Sequence, residues 1–98
     1  MPDIKFKLGR VVGTPGALQA LKANAKSPME YIGKHQRGEW GELCEEDKRL
    51  NDEAVANEGN RDKQQRVLSA YRLPDKTRIW IITEWDRSAT TILLPEEY

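Results

Sequence analysis

The chain has 98 residues, 38% of them hydrophobic and 33% charged, which is one domain with a lean core and a densely charged surface. No apolar run approaches the roughly 20 residues of a membrane span, and one Cys and one His are too few for a zinc cluster. Net charge is zero, so a strong phosphate-gripping excess is absent, and the lone Cys44 points to a reducing, cytoplasmic setting without an intrachain disulfide.

In chain order, Ile4-Lys5-Phe6-Lys7-Leu8 alternates apolar and polar residues, the pattern of a half-buried strand, and nothing in this opening stretch has the apolar core of a signal peptide. Thr14-Pro15 starts a helix, with Thr as N-cap and Pro in the first turn; Ala17, Leu18, Leu21 and Ala25 fall on one face. Ser27-Pro28-Met29-Glu30 starts a second helix and has the spacing of a reciprocal capping box. Met29, Ile32 and His35 share a face of it, and Gly38 supplies the left-handed stop. A third, acidic helix is expected over 42–57, with a thin stripe of Leu43, Leu50 and Ala54 and with Asp47 at its margin. Glu42, Glu45 and Glu46 suit the positive end of its dipole. Residues 59–65 are polar and read as a loop.

The remainder, 66–98, holds three runs of β-branched and aromatic residues separated by Pro74-Asp75-Lys76-Thr77 and Trp85-Asp86-Arg87-Ser88. That is a three-stranded antiparallel meander, with Ile79-Trp80-Ile81-Ile82 apolar on both parities and therefore central. The expected fold is a single α+β domain over 1–98, in which an N-terminal strand and about three helices pack on the C-terminal meander.

Charge is polarised along the chain. Residues 1–38 carry seven Lys/Arg and two Asp/Glu, residues 39–58 two and eight, and residues 59–98 seven and six. The acidic block would repel a phosphate backbone, so any nucleic-acid binding should be weak, and a protein partner is the better fit to a two-signed surface.

The segments HQRGEWGELCEEDKR, LSAYR and IWIITEWDRSATTILLPEEY resemble a family of small bacterial proteins encoded on plasmids and integrated mobile elements. The family is labelled plasmid-related or, in places, a subunit of a type I restriction system. The resemblance implies an accessory of mobile DNA and brings no established activity with it. A methyltransferase or DNA-recognition subunit would need far more chain and a cofactor fold.

Two clusters of polar residues could carry chemistry. His35 is the only side chain whose ordinary pKa lies near neutrality, and a metal-independent RNase needs such a base together with a cation on the phosphate. Arg87 is the matching cation, with Arg72 and Arg78 as substitutes. Tyr71, Ser88 and Thr90 could position a phosphate, and Trp40 could stack on a base or fill the groove between helices and sheet. Glu84 and Asp86 could form a recognition tip at the second turn or simply close the hairpin. The structural alternative for His35 is capping of its own helix. Gly38 and Gly41 lack the Lys and hydroxyl of a P-loop, and the acidic helix lacks the loop of an EF-hand, so no metal or cofactor is expected. The sequence thus leaves a protein-binding or regulatory accessory as the first reading, a His35/Arg87 RNase as the second, and a nucleic-acid-binding module as the third.

Overall fold

The computed structural model describes residues 4–98. Its elements are β1 (Arg10–Gly13), α1 (Pro15–Ala23), α2 (Pro28–Gln36), α3 (Glu45–Ala56), β2 (Val67–Arg72), β3 (Arg78–Thr83) and β4 (Ala89–Leu93), followed by a 3-10 turn at Pro95–Glu97. The fold is α+β. The sheet is mixed and has four strands in the order β1-β4-β3-β2, not three. β2, β3 and β4 pair antiparallel in succession, and β1 is added parallel to β4. No helix among the described residues is long and apolar enough to cross a membrane.

The N-terminal strand lies later than the alternation of residues 4–8 implies. Those residues are irregular, because their backbone groups bond to a helix instead of a strand. Lys5 donates its N–H to the Gln36 carbonyl (2.9 Å), and Phe6 O accepts from the Gln36 side chain (3.0 Å). Phe6 alone is fully inserted, edge-on to His35 and stacked on Trp40. Its burial, rather than a ladder, holds the segment.

Thr14 caps α1 by accepting from the Ala17 N–H (3.2 Å), and Ala17 and Leu21 enter the core. Leu18 stays 43% exposed, and Ala25 lies beyond the helix in a left-handed conformation. Ser27 caps α2 by accepting from Met29 N–H (3.3 Å). Glu30 does not complete the reciprocal box: it pairs with Lys26 at 3.7 Å. Gly38, at φ +84°, ends α2 with bonds from Gly38 N–H to His35 O and from Glu39 N–H to Lys34 O. α3 is rotated from the expected stripe. Asn51 and Ala54 are its buried residues, whereas Asp47 and Leu50 face solvent.

Asn51 explains that rotation. Its side-chain amide donates to Leu68 O (2.6 Å) and accepts from Leu68 N–H (3.2 Å), as a neighbouring strand residue would. Two residues along β2, Ala70 donates to Trp40 O and accepts from Glu42 N–H. Gly41 makes this approach possible: it sits at φ +78°, and a Cβ there would lie 1.9 Å from Ala70 O. The β2 edge is therefore closed by two separate devices.

Both core clusters lie on one face of the sheet, and on the other face Ala70, Ile82 and Leu93 are buried as well. One cluster joins Leu21 and Ile32 to Tyr71, Ile79, Ile81 and Ile92; the other joins Phe6, Trp40, Ala54 and Val67. All the strand residues in these clusters have the same parity in the paired register.

Candidate functional site

His35 is carried by the last turn of α2 onto the buried sheet face, where it has no exposed surface. Its Nδ1 lies 2.5 Å from Ser69 Oγ and its Nε2 2.9 Å from Thr83 Oγ1. Thr83 Oγ1 is 2.7 Å from Thr90 Oγ1, and Thr90 donates to the carbonyl of Leu8 (2.8 Å). That carbonyl can only accept, which sets every proton upstream. Thr90 spends its proton on Leu8, so Thr83 donates to Thr90 and His35 Nε2–H donates to Thr83. Nδ1 then accepts from Ser69. The network is a single directed chain through a neutral imidazole. Burial, and then the nearby Arg87 charge, lower the His35 pKa from 6.5 to about 3.

Arg87 is also sealed. Its Nε donates to Glu58 (2.8 Å), and its Nη1 donates to the carbonyls of Gln65 (2.6 Å), Glu84 (3.0 Å) and Trp85 (3.3 Å). The guanidinium lies over the Phe6 ring, whose edge meets His35. The two candidate catalytic residues are thus brought to one ring, but both are buried; the imidazole is bonded at both nitrogens, and of the guanidinium only Nη2 lacks a hydrogen-bond partner among the described residues. The imidazole has no free lone pair for a hydroxyl, and it does not cap its own helix.

The other sequence candidates divide into three groups. Trp40 and Tyr71 line a shallow cavity of about 310 Å³ between α2 and α3, together with Lys34 and Lys48. Both rings are nonetheless mainly structural. Trp40 donates to Asp52 (3.0 Å), and Tyr71 donates to Glu39 O (2.6 Å), its pKa pushed up to about 12 chiefly by burial. Glu84, Asp86 and Ser88 sit at the exposed β3–β4 turn. Asp86 accepts from the Ser88 N–H (3.0 Å), the Ser88 hydroxyl and N–H hold its carboxyl below the ordinary range, and Glu84 O accepts from Arg87 N–H. Thr90 belongs to the buried chain and is inaccessible.

Sequence reasoning missed the opposite sheet face. The paired register arranges it in rows. Leu68, Ile82, Thr91 and Val12 form one row and Ala70, Trp80 and Leu93 the next. Arg72 and Arg78 close one end, where both pair with Glu42, and Arg66 and Arg10 lie at the other. None of these residues belongs to either core cluster, but Ala70, Ile82 and Leu93 are buried and Leu68, Trp80 and Thr91 half-buried. The segment that crosses this face is the C-terminal turn: Tyr98 meets Trp80 edge-on and accepts from Arg66 (2.6 Å). Beside it lies a cleft of about 280 Å³ with Ile82, Thr91 and Leu93 among its lining and Arg66, Glu84 and Glu97 at its rim. β3 lies between β2 and β4 and is covered on both parities as its apolar run implies, with Ile79, Ile81 and Ile82 buried, Trp80 half-buried and Arg78 exposed at its end.

The fold and this face define a small α+β domain with one helix-covered and one helix-free sheet face. No protein-family model, curated protein or solved structure matches the chain. Among the described residues, no group of three or more His, Cys, Asp or Glu side chains is placed to hold a metal ion.

Proposed function

We propose that this chain is a polypeptide-binding accessory that takes its partner on the helix-free sheet face. The observation that carries the reading is the double apolar row ended by arginines. The cleft beside Tyr98 has the size for one apolar anchor side chain, and Arg66 at its rim favours a carboxylate beside that anchor. The resemblance to proteins encoded on plasmids and integrated elements supports a partner drawn from the products of mobile DNA. Acidic α3 runs along the β2 edge, where Asn51 bonds to Leu68, and disfavours a phosphate backbone beside it. The RNase reading would require His35 to leave a closed hydrogen-bond chain, and nothing in its surroundings favours that.

A random peptide library displayed against the protein tests the reading. Selected peptides should share one apolar anchor with Asp or Glu beside it. Thr91→Arg should abolish their binding while the thermal melt stays within a degree or two of wild type, since Thr91 is a half-exposed strand residue. Peptides without that pattern, or peptides that bind Thr91→Arg equally well, would refute it. A single-stranded RNA probe that stays bound at physiological salt would move the nucleic-acid module ahead of it.

A further inference from the structure

The two edges of the sheet are treated differently. The β2 edge is bonded to Trp40–Glu42 and Asn51, as described above. The β1 edge has no such cover among the described residues, and β1 is exposed along its first three residues. Arg10 N–H bonds to Ser88 O and Thr14 N–H to Ile92 O, so the even-numbered residues of β1 face β4. Val11 and Gly13 therefore turn their N–H and C=O groups outward. Val11 and Val12 are 41% and 37% exposed.

We propose that this edge pairs with the same edge of a second copy of the chain, antiparallel about a two-fold axis through Val12. The occupant follows from three complementarities. The first is in the backbone. With Val12 opposite Val12 of the second copy, Val11 of each copy lies opposite Gly13 of the other, and all the outward N–H and C=O groups of these two residues find partners. The second is apolar. On the helix side, Val11 meets the position where Gly13 of the other copy lacks a side chain and where Leu18 packs, since a Cβ on Gly13 would touch Leu18 at 2.8 Å. Val11, Val12 and the 43%-exposed Leu18 are all covered by this one register. The third is charge. Arg10 falls opposite Thr14 of the second copy, and the Thr14 hydroxyl donates to Glu97 (2.5 Å). Each Arg10 thus faces a Glu97 carboxylate, twice by symmetry.

The register also leaves space for the helices. β4 and its symmetry mate would stand three strand spacings apart, about 14 Å. Two α1 helices, each about 10 Å across, fit side by side on the same face. The product is one eight-stranded sheet with all helices on one side, and its two helix-free faces are continuous.

Sedimentation over a dilution series tests the interface. Wild type should pass from monomer to dimer with rising concentration. Val11→Pro removes an outward N–H that β4 does not use, so the monomer should melt as wild type while dimerisation is lost. Arg10→Glu and Glu97→Lys should each weaken the homodimer by about tenfold or more, because each places like charges together twice. Mixed in equal amounts, the two variants should form a heterodimer more readily than either forms a homodimer. A chain that stays monomeric throughout the series overturns the proposal. So does a dimer that survives Val11→Pro, or a mixture of the charge variants that shows no preference for the heterodimer.

Discussion

His35 makes folding stability depend on pH above the range in which carboxylates ordinarily titrate. It is the sole histidine, and the ordinary pKa values of the carboxylates lie below pH 5. The unfolded chain takes up the proton near pH 6.5 and the folded chain only near 3. Between those values the unfolded state binds more protons, so stability rises with pH: it is complete above 6.5 and is lost as pH falls toward 3. The limiting slope is about 1.4 kcal/mol per pH unit, which puts the loss between pH 7.5 and 5 at about 2 kcal/mol. A domain of this size has a stability of about 5–15 kcal/mol, so the loss is readily measured. Urea unfolding at half-unit pH steps gives the profile. His35→Asn should lower the plateau, because the hydroxyl chain is broken, and should flatten the profile above pH 5. A wild-type profile that is flat from pH 7.5 to 5, or an imidazole resonance that titrates near 6.5 in the folded protein, would falsify the directed-chain assignment.

The same chain predicts that Thr83→Val, similar in shape, costs about 1–3 kcal/mol in urea melts by leaving His35 Nε2–H without an acceptor. A cost below 0.5 kcal/mol would mean that another group accepts that proton. Asn51→Ala removes both bonds to Leu68, and a loss of about 2–3 kcal/mol is expected, together with faster amide exchange at Leu68. Unchanged exchange there would show that the edge is covered by other means. Ile81→Ala in the main core cluster should cost about 2–5 kcal/mol, and a melt within error of wild type would contradict its central packing.

Much of this architecture was legible because local chemistry and tertiary need agree. Thr14-Pro15 and Ser27-Pro28 start helices as expected, Gly38 ends one, and the three C-terminal runs are strands. The misreadings share a cause: each concerns a residue whose partner is remote in sequence. The 4–8 segment alternates like a strand, but Gln36 takes its backbone bonds. Leucine spacing alone places the stripe of α3 on Leu43 and Leu50, whereas an asparagine that bonds to β2 sets the rotation. Val11, Val12 and Gly13 are too few to announce a strand, and they form one because β4 offers an edge. His35 was legible as unusual, since an imidazole on an apolar helical face needs partners. Its partners Ser69, Thr83 and Thr90 look like ordinary strand residues, and only the register of three strands places them together.

The buried polar chain and the closed edge are connected. His35 is bonded on both sides by hydroxyls from β2 and β3, and these directional bonds fix how α2 is rotated about its axis in a way that apolar contacts would not. The position of α2 sets that of its Gly38 stop, and two residues further on Trp40 and Gly41 reach the β2 backbone. If α2 rolled by one residue, Phe6 and Trp40 would lose their contacts with the imidazole, and the Ala70 bonds would separate from their partners. The polar chain thus specifies which edge is sealed. With the β2 edge sealed, a further strand can join at β1, where the valines, the missing Cβ of Gly13 and the Arg10–Glu97 spacing favour another copy of the same strand.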